Sequence, residues 1–411
     1  MAVAGGTAPS SLRGRLVAQH GESCDAPTSV LGASSQAACD TYWVTPTAHH
    51  GRSLRERRQY SNTRSMICII MMLRSFLLVR LGLVLSCSSG TFGLIARAQT
   101  SPALSVELYA GLTITGSVGR VYSIEYVPHL ALTNTASAWR CVEYLQLPTS
   151  PFLWTDSTLP GKGSRFYRAV LMQPPTNLVF IPPGTFRMGS ATNEVDRVTW
   201  EGPQTLVTIS RGFWLGRYEV TQRDYISVIG SNPSLFVDLN RPVERVSWHD
   251  ATNYCAVRTG RERAAGLIAG NCVYRLPTEA EWEYSCRAWT STRFSYGDDS
   301  AYAELAKYAF YFANSTGTSQ PVGQRLPNPW GLYDMHGNVY EWCQDWWADF
   351  LPGGIVMDPQ GPMTGTFRVI CGGFYFSEPQ GCRSAYRLMS PFPTSKSSTI
   401  GFRVVLAPGQ P

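Results

Sequence analysis

The stretch RLPTEAEWEY, residues 275–284, decides the fold because it joins a turn to the start of a helix. Thr278 is a good helix cap, and Glu281 stands three residues later, so the two side chains can complete a capping box. Trp282 follows directly, and its large apolar ring is more typical of a core position than of a binding surface. The stretch therefore predicts a capped helix that packs through a tryptophan.

Two further short helices are predicted upstream of this one. The first begins at Thr221 and ends at Gly230, and the second runs from about His249 or Asp250 to Ala264. The remaining sequence between residues 178 and 406 is rich in Trp, Gly, Asn and Pro, which suits short strands and long structured loops. We therefore expect an α+β domain with little regular secondary structure over residues 178–406.

A second, smaller unit is predicted over residues 103–172. Its apolar and polar residues alternate in short runs, as in VYSIEY at residues 121–126, with Gly and Pro between the runs. This pattern indicates a small antiparallel β domain with a role in spacing or adhesion. Residues 173–176, QPPT, form a plausible linker between the two units.

The N-terminal sequence indicates export. Residues 71–98 have a basic start, a short apolar run and a small-residue cleavage site, which is the layout of a secretory signal cleaved before Gln99. The apolar run is too short for a transmembrane helix. Residues 1–70 are then a disordered leader, or a stretch that is not translated. Cys87 lies in a sequence close to a lipoprotein box, so lipid anchoring is an alternative to release into the periplasm or medium.

The distribution of basic residues along the chain argues against a nucleic-acid partner. The formal net charge is +6, but residues 1–65 contribute +3 and residues 66–98 a further +3, so residues 99–411 are neutral overall. A basic surface for nucleic acid is therefore absent from the part of the chain that is expected to fold.

Seven motifs occur in a fixed order along the larger unit. They are FRMGS (186–190), YEVT (218–221), PVERVSW (242–248), RLPTEAEWEY (275–284), GLYDMHGNVYEW (331–342), GG (372–373) and GFR (401–403). In this order they resemble the formylglycine-generating, or sulfatase-modifying-factor, enzyme family. The resemblance implies a C-type-lectin-like fold that is held by calcium and disulfides.

The chemistry of that family depends on copper. The enzymes that this sequence resembles oxidise a cysteine of a sulfatase to formylglycine, using oxygen and a copper(I) ion held by two thiolates spaced Cys-x4-Cys after a Gly-Gly-Ser stretch. Soft thiolates suit this ion. Counted forward from Gly372 and Gly373, Ser377 falls on the first thiol and Cys382 on the second. Cys382 is therefore the catalytic candidate, with only half of the copper site present.

A second register removes the copper site altogether. Counted backward from Arg387, Cys382 matches a structural cysteine that the family bridges to the position of Cys286. We prefer this register because it gives Cys286 a partner. Phe374 also replaces the serine of the family motif in either register.

The resemblance also assigns calcium ligands. It places side-chain oxygens of Asp334 and Glu341 and backbone carbonyls of Gly337 and Val339 around one Ca²⁺, which accepts such hard oxygens. The two carboxylates could instead be solvated or salt-bridged. His336 in this loop is expected to form hydrogen bonds rather than to bind metal.

A second calcium site is implied less completely. It would begin at Asn314 and Ser315, but the loop that follows, residues 316–320, is short and has no aspartate.

Seven cysteines follow the predicted signal, and export makes disulfides the first expectation for them. The family resemblance implies a Cys286–Cys382 bridge. Cys255 with Cys272, and Cys343 with Cys371, could form further pairs, although spacing alone does not fix the connectivity. The odd count leaves at least one thiol unpaired.

Three functions remain after these steps, and one of them is an enzyme of the same fold that uses unrelated residues. The one we favour is a calcium-stabilised binding module that presents the loops 291–303 and 352–366 to a protein or a glycan, with a sulfatase as one possible partner. The third is a copper-dependent formylglycine-generating oxidoreductase. The sequence indicates neither the identity of the ligand nor an oligomeric state.

Overall fold

The computed structural model describes residues 41–43, 110–158, 165–390 and 392–409. The predicted signal, its cleavage site and nearly all of the predicted leader lie outside these residues. The leader contributes one short strand, β1 (Thr41–Trp43), which pairs antiparallel with the strand Phe166–Leu171. That short part of the leader is therefore a strand, where the sequence indicated disorder.

The three predicted helices are confirmed, and all three begin with a capping box. They are α1 (Gln222–Ile229), α2 (Trp248–Ala264) and α3 (Glu279–Arg287). Helix α2 begins one residue before the predicted start because Ser247 and Asp250 form its capping box.

The strands beyond β1 are short. They are β2 (Ala110–Ile114), β3 (Val121–Val127), β4 (Arg140–Gln146), β5 (Phe152–Asp156), β6 (Phe166–Leu171), β7 (Leu178–Ile181), β8 (Gly184–Met188), β9 (Thr205–Ile209), β10 (Phe213–Gly216), β11 (Cys272–Arg275), β12 (Tyr340–Trp346), β13 (Ile355–Met357), β14 (Arg368–Cys371), β15 (Arg387–Met389), β16 (Ile400–Gly401) and β17 (Val405–Pro408).

Three sheets build the larger unit, in the strand orders β11-β17-β10-β7, β15-β14-β12-β16 and β13-β9-β8. Strand β12 is central to the second sheet because it pairs with β14 antiparallel and with β16 parallel. This register places Glu341 opposite both Cys371 and Gly401. One antiparallel sheet and two mixed sheets, together with three helices, confirm the predicted α+β class.

The core of the larger unit is aromatic. Trp282 of α3 and Trp342 of β12 are fully buried, as is Phe402 of the GFR motif. The prediction that Trp282 is a core residue is therefore confirmed. Within the described part of the chain, no helix has the length and apolar character needed to cross a bilayer.

The smaller unit, β2 to β6 with β1, has its own core but is also packed against the larger one. Its strands form the sheets β1-β6-β3-β4 and β2-β5 around residues such as Ile114, Tyr122 and Trp154. On its outer side, Cys141 and Tyr144 of β4 join the same apolar cluster as Trp214 of the larger unit. The smaller unit is therefore docked through buried side chains, and the linker is not its sole attachment.

Candidate functional site

The segment that should supply copper ligands leaves strand β14 through two glycines. Gly372 and Gly373 have φ angles of 98° and 76°, which side chains rarely adopt. A Cβ on Gly373 would also lie 2.9 Å from Cys382 Sγ. Beyond them the chain turns tightly, because Phe374 N–H donates to Ser377 Oγ at 2.9 Å and Ser377 N–H donates to Phe374 O at 2.9 Å. The Ser377 hydroxyl is thus part of a local turn.

Cys382 is an apolar core residue in this fold. Its side chain is fully buried among Phe294, Leu305, Ala309 and Tyr311. Burial raises the pKa of the Cys382 thiol to about 12. The sulfur is therefore a neutral thiol at physiological pH, whereas copper(I) binding requires a thiolate.

The donors present do not fit the two-thiolate copper site that the family resemblance implies. One position holds the buried thiol of Cys382, and the other holds the Ser377 hydroxyl, which is a poor ligand for a soft cation. Among the residues that the structure describes, no group of three or more His, Cys, Asp or Glu side chains is arranged to hold a metal ion.

His336 occupies the position between the two cysteines that were expected to form a bridge. Cys286 Sγ lies 3.9 Å from each ring nitrogen of His336, and His336 Nδ1 lies 2.9 Å from the carbonyl oxygen of Cys382. Burial lowers the pKa of His336 to about 4, so the ring is neutral. Its contacts with Cys382 O and Ser295 Oγ agree with the predicted hydrogen-bonding role.

Both residues of the predicted Cys286–Cys382 bridge are free thiols in the structure, so the bridge stays a prediction. All seven cysteines of the described residues are buried and unbridged. Two of the sulfurs that were considered as a pair, Cys343 Sγ and Cys371 Sγ, lie 3.9 Å apart on neighbouring strands.

The predicted calcium ligand Glu341 is already engaged by protein donors. Arg403 Nε and Nη2 donate to its two oxygens at 2.5 and 2.6 Å, and Trp282 Nε1 donates to Oε2 at 2.7 Å. Glu341 and Arg403 are both completely buried, so this is an ion pair in the core. The alternative that Glu341 is salt-bridged therefore has direct structural support.

Asp334 offers a better ligand atom. Its Oδ2 accepts a hydrogen bond from Gly323 N–H at 2.7 Å, but its Oδ1 is buried without a hydrogen-bond partner. Burial raises the pKa of Asp334 to about 6. A buried oxygen without a partner is costly, and a bound cation would satisfy it. This atom fits the implied calcium ion.

Glu219 is a neighbour of this site that the sequence did not identify. Its carboxylate accepts from Asn338 Nδ2 at 2.8 Å and Val339 N–H at 3.2 Å. Burial and the nearby carboxylates of Asp334 and Glu341 raise its pKa. The YEVT motif contained Glu219, but no local pattern links that motif to a loop more than a hundred residues away.

Val339 lies beside one of these acids, because its N–H donates to Glu219, and Gly337 lies two residues before it. Gly337 has a φ of 146°, and a Cβ there would lie 2.2 Å from the carbonyl oxygen of Phe310. Only glycine therefore fits this turn.

Asn314 and Ser315, the candidates for a second calcium site, are both hydrogen-bonded to other protein groups. Asn314 Oδ1 accepts from Tyr311 N–H at 2.9 Å, and its Nδ2 donates to Ala309 O at 2.9 Å. The Ser315 hydroxyl donates to Tyr375 O. The Asn314 side chain is thus bonded within its own turn, whereas the Ser315 hydroxyl bonds to a distant segment.

The two loops proposed for binding lie beside exposed apolar side chains. Trp289, just before the loop 291–303, is 71% exposed although its φ of 73° is strained for a bulky residue. Its ring meets Trp330 edge to face, and a cavity of about 690 Å³ lies between this loop and residues 327–329. In the loop 352–366, Ile355 is 79% exposed and Met363 is 97% exposed.

Comparison with known proteins places these features in a family. The model of the sulfatase-modifying factor enzyme 1-like domain matches residues 168–408. The chain is 30% identical over 250 residues to chaperone protein LppX of Paenibacillus barcinonensis, which covers 51% of this chain and 82% of the relative. It is also 30% identical over 294 residues to the formylglycine-generating enzyme of Mus musculus, which covers 56% of this chain and 74% of that enzyme.

Among solved structures, PvdO from Pseudomonas aeruginosa matches with a TM-score of 0.49 and 29% identity, over 57% of this chain and 97% of PvdO. Because the family model matches more than half of the chain, and its range contains all seven sequence motifs, the chain belongs to the sulfatase-modifying factor family.

Proposed function

We propose that this protein is an exported, calcium-stabilised binding module of the sulfatase-modifying factor family that does not generate formylglycine. The observation that carries the proposal is the environment of Cys382, whose thiol is buried in an apolar cluster with its pKa raised to about 12. A catalytic thiol is normally partly exposed and has a lowered pKa.

The missing second thiol supports the same proposal. Ser377 replaces it in the forward register, and its hydroxyl is part of the turn with Phe374. In the other register Cys382 is a structural residue, which agrees with its packing. The alternative function, a copper-dependent oxidoreductase, is favoured by the 30% identity to formylglycine-generating enzymes.

Calcium is proposed as a structural ion at the loop that begins with Asp334. Its buried Oδ1 would bind the ion together with the carbonyl oxygens of Gly337 and Val339, while Glu341 stays close as a second carboxylate. The ion would neutralise part of the charge that accumulates where three buried acids meet one arginine, Arg403.

The binding surface is proposed to lie on the loops 291–303 and 352–366. Strain at the exposed Trp289 supports a functional role, because a bulky residue is held in a left-handed conformation only when its surroundings enforce it. The exposed Ile355 and Met363 add apolar surface on the other loop. A protein or a glycan is the proposed ligand.

The test is an oxidation assay on the full chain. The purified protein is incubated with copper, oxygen and a peptide that contains Cys-x-Pro-x-Arg, and the peptide is then examined by mass spectrometry. We expect no conversion of the cysteine to formylglycine by the native chain or by Ser377→Cys. Conversion by the native chain would overturn the proposal. Conversion by Ser377→Cys alone would establish the forward register and show that the native chain lacks only the second thiol.

A further inference from the structure

The contact between the smaller and larger units contains two sulfurs. Cys141 lies on β4 of the smaller unit and Cys272 begins β11 of the larger unit, and both side chains are buried in one apolar cluster. In the sequence they are separated by 130 residues, so nothing in their spacing connects them. The contact appears only when the two units dock.

The backbone around these sulfurs is held closely. The Asn271 side chain forms two hydrogen bonds with the backbone of Cys141. Its Oδ1 accepts from Cys141 N–H at 2.7 Å and its Nδ2 donates to Cys141 O at 2.8 Å. The adjacent Gly270 N–H donates to Trp139 O at 3.0 Å. The backbone at Cys141 is therefore tied to the residues just before Cys272 by the Asn271 side chain and by one main-chain hydrogen bond.

The two thiols lie in the same buried cluster, and each contacts a neighbouring hydroxyl. Tyr144 Oη donates to Cys272 Sγ at 3.2 Å, and Ser123 Oγ lies 3.2 Å from Cys141 Sγ. The hydrogen bonds from Cys141 and Tyr144 lower the pKa of Cys272, whereas burial raises the pKa of Cys141. Cys272 is thus the more nucleophilic of the two sulfurs.

We propose that Cys141 and Cys272 form a disulfide that covalently joins the smaller unit to the sulfatase-modifying-factor domain. Disulfide formation needs two cysteines on backbones that are close together. Here both cysteines are buried in one cluster, and Asn271, the residue before Cys272, is hydrogen-bonded to the backbone of Cys141. This pairing replaces the one expected from the sequence, in which Cys272 was paired with Cys255. The proposal is independent of whether the domain has catalytic activity.

The oxidant is a small-molecule or protein disulfide. The Cys272 thiolate attacks one sulfur of that disulfide, which releases a thiolate and leaves a mixed disulfide. Cys141 then attacks Cys272 Sγ and releases the second thiol. The two protons of Cys141 and Cys272 end on the two released thiols, and two electrons reduce the external disulfide. The exchange takes place as the chain folds or when the contact opens, because both sulfurs are buried afterwards.

Peptide mapping of the full chain tests the bond directly. The protein is fully reduced, oxidised with glutathione disulfide, alkylated and digested with trypsin without reduction. Cys141 falls in the tryptic peptide 141–162 and Cys272 in the peptide 264–275, and each peptide has one cysteine. We expect these two peptides to be linked. Alkylation of both cysteines, or a link from Cys272 to Cys255, would overturn the proposal.

A thermal measurement gives a second readout. The bond would close a loop of more than a hundred residues, so oxidation should raise the Tm of the native chain by about 5 °C or more. Cys141→Ser and Cys272→Ser should lose this redox-dependent shift, whereas Cys255→Ser, a buried thiol of the same cluster, should keep it. Equal shifts in all three variants would contradict the proposal. If the serine variants do not fold, the peptide map of the native chain decides.

Discussion

At the scale of single residues, Cys382 shows why a family motif does not define an activity. The sequence left two registers open for this cysteine, and they differ in whether it is a ligand or a structural residue. Its burial against Phe294 and Tyr311 matches the structural register. This packing depends on contacts between residues up to about 90 positions apart in the sequence. Spacing within the motif could therefore not predict it.

The predicted calcium ligands show a second limit of residue-level prediction. The resemblance placed Asp334 and Glu341 in one loop, and the structure brings them close together in the core. The resemblance did not predict that Arg403 would bind both oxygens of Glu341, although the GFR motif contains that arginine. The partner of a buried charge becomes evident only when strand pairing is known.

Removal of calcium should destabilise the protein through Asp334. A chelator such as EGTA is expected to lower the Tm, because an ion present at about a hundredfold its Kd stabilises the folded state by about 2.7 kcal/mol. Asp334→Asn should abolish the response, since its buried Oδ1 is the atom without a partner. Asp238→Asn, at a partly exposed carboxylate elsewhere, should retain it. An unchanged Tm of the native chain in EGTA would rule out a stabilising calcium ion.

At the scale of secondary-structure elements, the helices could be predicted more accurately than the strands. Each helix begins with a local signal, such as Thr278 with Glu281, which needs no distant partner. The strands are mostly two to five residues long, and their pairing joins distant segments, as when β12 pairs in parallel with β16. The sequence therefore predicted that short strands exist, but it did not predict which strands pair.

A buried acid of strand β12, Asp345, forms a hydrogen bond with the start of helix α3 and has a raised pKa. Asp345 Oδ2 accepts a hydrogen bond from Glu279 N–H, the first residue of α3, at 2.9 Å. Burial and the nearby Glu279 carboxylate raise the pKa of Asp345 to about 8. The folded protein therefore retains a proton that the unfolded chain releases at much lower pH.

This ionisation predicts a fall in stability with rising pH. The contribution of Asp345 is complete below about pH 4 and is lost as the pH rises through about 8, with a slope of up to about 1.4 kcal/mol per pH unit. Urea titrations between pH 5 and 9 should therefore show a flatter free energy of unfolding for Asp345→Asn. The exposed control Asp349→Asn should follow the native curve. Parallel curves for the native chain and Asp345→Asn would exclude the assignment.

At the scale of the whole molecule, the sequence predicted two units but did not predict that they pack against each other. The alternation of apolar residues predicted a β domain over residues 103–172, and the strands β2 to β6 lie there. Nothing in that pattern distinguished the outward side chains of Cys141 and Tyr144 from solvent-facing positions. They are buried because the larger unit presents Trp214 and Tyr274 to them.

Gly270 provides a test of this docking. A Cβ at this position would lie 2.2 Å from Ser137 O of the smaller unit, whereas one on Gly260 of α2 would meet nothing within 4 Å. Gly270→Ala should lower the free energy of unfolding by about 2 kcal/mol and expose the connection at residues 173–176 to proteases. Gly260→Ala should raise it by about 0.5–1 kcal/mol. A neutral Gly270→Ala variant would mean that the two units do not touch there.

The central claim is that Cys382 does not bind copper(I), and a competition titration tests it directly. The reduced native chain and Cys382→Ser are titrated with copper(I) against a chromophoric chelator. Because the Cys382 thiol is buried with a raised pKa, both proteins should compete equally well. One equivalent of copper(I) held by the native chain and lost in Cys382→Ser would contradict the account.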